Sequence, residues 1–213
     1  MAQDLFEIKQ ELVIALRNAN IISTTKRGVT TQTDTGTFST ASTHTLAKEP
    51  TYVKNVRSVI VAAATLTRYT DYTVNYDTGV ITFTAAQTGA YTISYDTGTT
   101  DSIFPDFPQS NLKLNAFPRI SVDILGGSIE DIDLGANYTH HAYDIIVVCY
   151  GKGVEELEDM TSDVLSNMLT NKKSFYYLKY IKPSNIGPII NFPQGQNKVI
   201  SRSVDFRSKF NYQ

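Results

Sequence analysis

Apolar positions recur at two different periods along this chain. At residues 4–19, Leu5, Ile8, Leu12, Ala15, Leu16 and Ala19 stand three and four apart, which lines one face of an α-helix. Asp4 is placed to cap that helix, and Glu7 three residues on completes a capping-box pattern. Val154, Leu157, Val164, Leu165, Met168 and Leu169 predict a second helix over 154–169, with Lys172 and Lys173 past its end, where cations complement the helix dipole. Elsewhere the period is two. In 119–125, Ile120, Val122 and Ile124 alternate with Arg119, Ser121 and Asp123, which predicts a strand with one buried face. Residues 142–150 are almost continuously apolar and read as a strand buried on both faces. Further strands are predicted at 176–181 and 198–212. In the last, Ile200, Val204, Phe206, Phe210 and Tyr212 oppose Ser201, Ser203, Asp205, Arg207 and Lys209.

These elements predict an α+β core over residues 1–20 and 105–213: a mixed or antiparallel four-stranded sheet packed by two helices. Between its two parts the pattern changes. Residues 21–47 are rich in Thr, Ser and Gly and poor in large apolar side chains, which suits a solvated arm or extended loop, or a pair of exposed strands that becomes a β-ribbon on meeting a partner. Residues 48–100 read as an inserted all-β meander. Tyr72, Val74 and Tyr76 alternate with polar residues, Asp77-Thr78-Gly79 turns the chain into 80–83, and Gln87-Thr88-Gly89 makes the next turn before Tyr91, Ile93 and Tyr95. The tetrapeptide Tyr-Asp-Thr-Gly occurs twice, at 76–79 and 95–98, and is read as turn chemistry rather than as a repeat.

Composition narrows the classes. With 213 residues and 41% hydrophobic content, the chain can bury an ordinary core. A net charge of −2 provides no global field for gripping nucleic acid. The single cysteine, Cys149, sits in an apolar strand and reads as a small buried hydrophobe. No apolar run is long enough to cross a bilayer as a helix, and the first ten residues are too polar for a secretory leader.

Candidate chemistry is sparse. Gly151-Lys152-Gly153 precedes the second helix but lacks the spacing of a phosphate-binding loop, so it reads as a strand-to-helix turn. His140, His141 and Asp144 would make a metal site only if both imidazoles reached one ion, which adjacent strand residues oppose because they point to opposite faces. No nucleophile stands in a catalytic context, and neither cofactor nor metal is expected. Glu130, Asp131 and Asp133 are expected to project from a loop between the two central strands. That loop is either simply solvated or, in an assembly, a channel lining along which DNA slides without sticking. Tyr69, Tyr72, Tyr76, Tyr91 and Tyr95 are either cross-strand packing partners or a carbohydrate-stacking face.

The helix at 4–19, the run Phe117-Pro118-Arg119-Ile120-Ser121-Val122, the acidic connection after Gly126-Gly127, the aliphatic strand at 143–150, the helix at 154–169 and the two final strands resemble the tail terminator proteins of long-tailed bacteriophages. The likeness covers residues 1–20 and 105–213. The intervening segment, with Leu66-Thr67, Asp71-Tyr72-Thr73-Val74, Thr78-Gly79 and Ile81-Thr82-Phe83, resembles small β domains inserted in phage structural proteins. The resemblance implies a structural virion protein of the tail neck, assembled in the host cytoplasm and not an enzyme. It implies a ring of six copies that stops tail-tube polymerisation, with the major tail tube protein and the head–tail connector or head-closure protein as partners. DNA would pass through without specific binding. Edge strands carrying Arg119, Ser121 and Asp123, or Arg207 and Lys209, are the candidate inter-subunit contacts. Another neck protein of similar fold, a tail-completion or head-closure subunit, stays open beside the terminator.

Overall fold

The computed structural model describes residues 5–47, 52–105, 117–131, 139–178, 180–194 and 197–212. In chain order these form α1 (Leu5–Asn18), α2 (Thr24–Arg27), β1 (Thr30–Thr45), β2 (Tyr52–Val61), β3 (Ala64–Thr65), β4 (Tyr72–Asn75) and β5 (Val80–Gly98). There follow β6 (Ile103–Phe104), β7 (Arg119–Asp131), β8 (Thr139–Gly151), α3 (Val154–Thr170), β9 (Tyr180–Ile186), β10 (Ile190–Gln194) and β11 (Asn197–Tyr212). Among the described residues the fold is mostly β, in one five-stranded and one six-stranded sheet. The expected four-stranded sheet packed by two helices is therefore wrong. The Thr-rich run at 30–45 and the Pro-containing run at 182–194 form strands, which enlarges both the core sheet and the sheet of the inserted segment.

The chain divides into two compact units, Met1–Ile22 with Ser102–Gln213, and Ser23–Asp101. In the first, the strand order is β10-β11-β8-β7-β6, with β9 also on β11. All these pairs are antiparallel except β6 with β7. The segment 182–197, expected as a loop, contributes most of β9 and all of β10, laid end to end along one side of β11. Pro183, Pro188 and Pro193 lie along it, a placement tolerated at a sheet border, where no neighbour needs the missing N–H. α3 packs over β8, β9 and β11, and α1 lies against β6 and β7. Ile8, Leu12 and Leu16 from α1, Val164 and Met168 from α3, and Ile120, Val147, Val204 and Phe206 from the sheet share one core. The end of α3 is tied back by Glu11, whose carboxylate accepts the backbone N–H groups of Tyr176 and Tyr177, the latter at 3.0 Å.

The second unit is built on one long ribbon. β1, the expected arm, pairs with β5 from Thr30↔Thr97 to Thr45↔Val80, with register shifts between Phe38 and Thr43. The ribbon folds over at those bulges. Asp34 and His44, ten residues apart on one strand and so about 33 Å apart if it were straight, meet at 2.7 Å between Oδ2 and Nε2. Bulges of this kind let a strand turn a corner and serve two layers. Phe38 stacks on Tyr91 at 4.1 Å and meets Phe83 edge-on at 5.5 Å inside the fold-over, beside Ile81 and Ile93. The predicted turn at 77–79 is present: Asn75 Oδ1 accepts the N–H groups of Asp77 and Thr78, and β4 pairs with the start of β5. The predicted turn at 87–89 is not a chain reversal. β5 continues through it as one strand, bent with the ribbon where Gly89 takes φ 110°, because β1 supplies the partner that a hairpin would otherwise have had to provide.

Candidate assembly interface

β11 was expected to be a border strand, and the pairing corrects this. Arg207 stands opposite Asp144 of β8 on one side and Lys182 of β9 on the other, and Lys209 stands between Ala142 and Tyr180. With its backbone engaged on both sides at 200–201 and 204–209, β11 is an interior strand at Arg207 and Lys209 and offers no free ladder there. Arg207 and Asp144 approach to 3.8 Å, both about half-exposed.

β7 does present an open side. Its pairing with β8 is complete, but on the other side β6 covers only Ile120 and Ser121. Among the described residues no strand lies on that side of 122–131. Arg119 and Ser121 belong to the covered end and are buried, the guanidinium lying 5.4 Å from the Phe117 ring and 6.0 Å from that of Phe104. Asp123 is on the open stretch, where it meets Lys9 of α1 at 2.6 Å and accepts the N–H of Ile124. After it comes a register shift at 124–126, where Leu125 is 62% exposed.

The acidic segment differs from expectation. Glu130 and Asp131 are strand residues of β7, opposite His140 and Thr139, so the hairpin arms reach further than a loop at 128–137 allowed. Asp133 lies outside the described residues. His140 and His141 occupy successive positions of β8, and among the described residues no group of His, Cys, Asp and Glu is placed to hold a metal ion. Cys149 is in the core, where burial pushes its thiol up to about 12 against a smaller opposing pull from the Thr161 hydroxyl, which itself donates to the Leu157 carbonyl at 2.7 Å.

The tyrosines of the second unit do not form a stacking platform. Tyr72 and Tyr95 are core residues, and Tyr91 is stacked on Phe38. Tyr69 and Tyr76 flank the Arg68 guanidinium at 5.0 and 5.1 Å. A carbohydrate face at these residues is thus without its rings.

One constellation was missed. Arg27 is completely buried and donates from Nε and Nη2 to Asp101 at 3.0 Å each and from Nη1 to Asp96 at 3.2 Å. Asp96 also accepts from Arg57 at 2.7 Å and from Thr31 at 2.8 Å. The network joins α2, β1, β2 and β5 where the unit's two ends meet. Its only sequence signal was Asp96 inside an otherwise strand-like run, and that run had been read as a turn.

A scan against family models finds no match, and no curated protein matches the chain.

Proposed function

We propose that the chain is a structural subunit that closes into a ring, in the manner of a phage tail terminator, and caps a tail tube at its head-proximal end. The observation that carries this reading is the geometry of the first unit's sheet. It ends on two unlike borders, β7 with its open side at 122–131 and the β9/β10 line, each with exposed apolar residues: Leu125 on one, Tyr180, Ile186 and Ile190 on the other. Two different patches on one subunit join head to tail, and such heterologous contacts generate rings when the rotation closes. The element order of α1, the β7–β8 hairpin, α3 and the β9/β10–β11 hairpin is the order on which the resemblance to tail terminators rests. A six-copy ring with DNA passing through and tube and connector proteins on its two faces is the form this reading takes.

The test is the mass of the purified full-length protein by light scattering, alone and with preassembled tail tubes, followed by negative-stain images. The expected result is a closed particle with a central hole, or a cap on tube ends. A protein that stays monomeric and leaves tube ends bare would rule the reading out.

A further inference from the structure

The net charge of −2 conceals a strong segregation. Between Arg119 and Lys152 the chain carries five acids, Asp123, Glu130, Asp131, Asp133 and Asp144, and no lysine or arginine. Between Asp163 and Asp205 it carries six cations, Lys172, Lys173, Lys179, Lys182, Lys198 and Arg202, and no acid. The described parts of these segments reach opposite borders of one sheet: Asp123, Glu130 and Asp131 stand on β7, whose side at 122–131 is open, and Lys182 stands on β9, with Lys172 and Lys173 just past the end of α3. Asp144 on β8 and Lys198 and Arg202 on β11 belong to interior strands, and Asp123 is paired with Lys9. Lys173 and Lys182 are exposed.

We propose that the acidic β7 border of one copy docks on the basic β9/β10 border of the next. This rests on the ring-forming reading and names its joint. Leu125 from one side and Tyr180 and Ile186 from the other supply the apolar centre, with opposite charges around it, the arrangement of apolar core and polar rim found in protein interfaces. Because Pro183, Pro188 and Pro193 remove N–H donors along β9/β10, side chains and not a continuous ladder make the joint. Like borders repel, which disfavours two-fold dimers and directs assembly head to tail.

The test uses the full-length chain and two charge reversals. Glu130→Lys with Asp131→Lys makes both borders basic. Lys173→Glu with Lys182→Glu makes both acidic. Each variant alone is expected to lose the oligomer by light scattering, with the assembling concentration raised at least about tenfold. An equimolar mixture of the two is expected to reassemble, since each then meets only the other, and so is a single chain carrying all four changes. Circular dichroism melts of each variant report folding. If the wild type is oligomeric and both variants stay assembled, or if the folded variants fail to recover on mixing, the joint is elsewhere and the ring reading survives. Where the wild type assembles only on tube ends, the same variants and their mixture are scored for capping of preassembled tubes; a wild type that neither oligomerises nor caps tube ends overturns the ring reading and the joint together.

Discussion

The two units solve the same problem with different materials. The first buries a continuous apolar core between sheet and helices, with Val147 and Phe206 essentially inaccessible and a thiol among them. Among its described residues the second has strands and one short helical turn, and it closes around a core of Val, Ile, Leu, Phe and Tyr together with two arginines and two aspartates. A buried charge costs several kcal/mol to desolvate, so the network contributes specificity only while every member is paired. It fixes where the unit's ends meet, a task that apolar packing, being non-directional, performs poorly.

The contrast can be broken at its strongest point first. Arg27→Met removes the three charge-assisted hydrogen bonds that the buried guanidinium donates to Asp101 and Asp96, and about 3–5 kcal/mol of stability is expected to go. Hydrogen exchange should show the loss in β1, β2 and β5, with β8 and β11 protected as before. If β8 and β11 lose protection equally, the units are not separate in energy. Phe206→Ala is the converse, with about 3–5 kcal/mol expected from a buried ring, read in the amides of β8 and β11. Glu11→Gln weakens the clamp on the N–H groups of Tyr176 and Tyr177, and about 1–3 kcal/mol is expected from a charged acceptor lost at a buried site. A denaturant midpoint unchanged from the wild type would show that the clamp is idle.

Alkali probes both units at once. Burial pushes the Cys149 thiol and the Tyr72 phenol up to about 12 each, from 9.0 and 10.0. In both the folded chain favours the neutral form. The stabilisation is therefore complete below the unfolded values and lost as pH rises through 9–12. The urea midpoint should fall steadily above about pH 9, and at pH 8 Cys149 should resist thiol reagents until urea is added. Rapid labelling of the native protein would place the thiol outside the core. The smallest effect is expected at the fold-over, where Asp34→Asn weakens a partly buried contact with His44 and costs about 1 kcal/mol, detectable as faster exchange near the 38–43 bulge.

Periodicity revealed both helices and the strands at 119–125 and 142–150, because each buries one face or is buried outright, and burial leaves an apolar signature. It missed β1 and the β9/β10 line for the opposite reason. At the margin of a sheet, most side chains face water, so a strand there can be built from Thr or interrupted by Pro without any apolar period. The candidate border at 119–125 was legible as a strand, but that Arg119 and Ser121 lie under β6 while Asp123 does not depends on a two-residue parallel pairing far away in sequence. That β11 is interior depends on strands no local pattern announced.

The twice-used tetrapeptide Tyr-Asp-Thr-Gly marks the division most clearly. At 76–79 it is a turn, with Asn75 accepting two of its N–H groups and Gly79 at φ 71°. At 95–98 it is the end of β5, paired with both β1 and β2, its aspartate held by Arg27 and Arg57. There Gly98 is needed for closeness, since a Cβ would meet the Gly28 carbonyl at 2.7 Å. The sequence alone determined the helices, the buried strands, the apolar place of Cys149 and the segregation of charge into an acidic stretch and a basic one. Which copy of a shared tetrapeptide turns and which pairs, and that Glu130 and Asp131 stand on one border of a sheet and Lys182 on the other, only the tertiary structure decided, because pairing partners and counter-charges come from residues about 70 positions away.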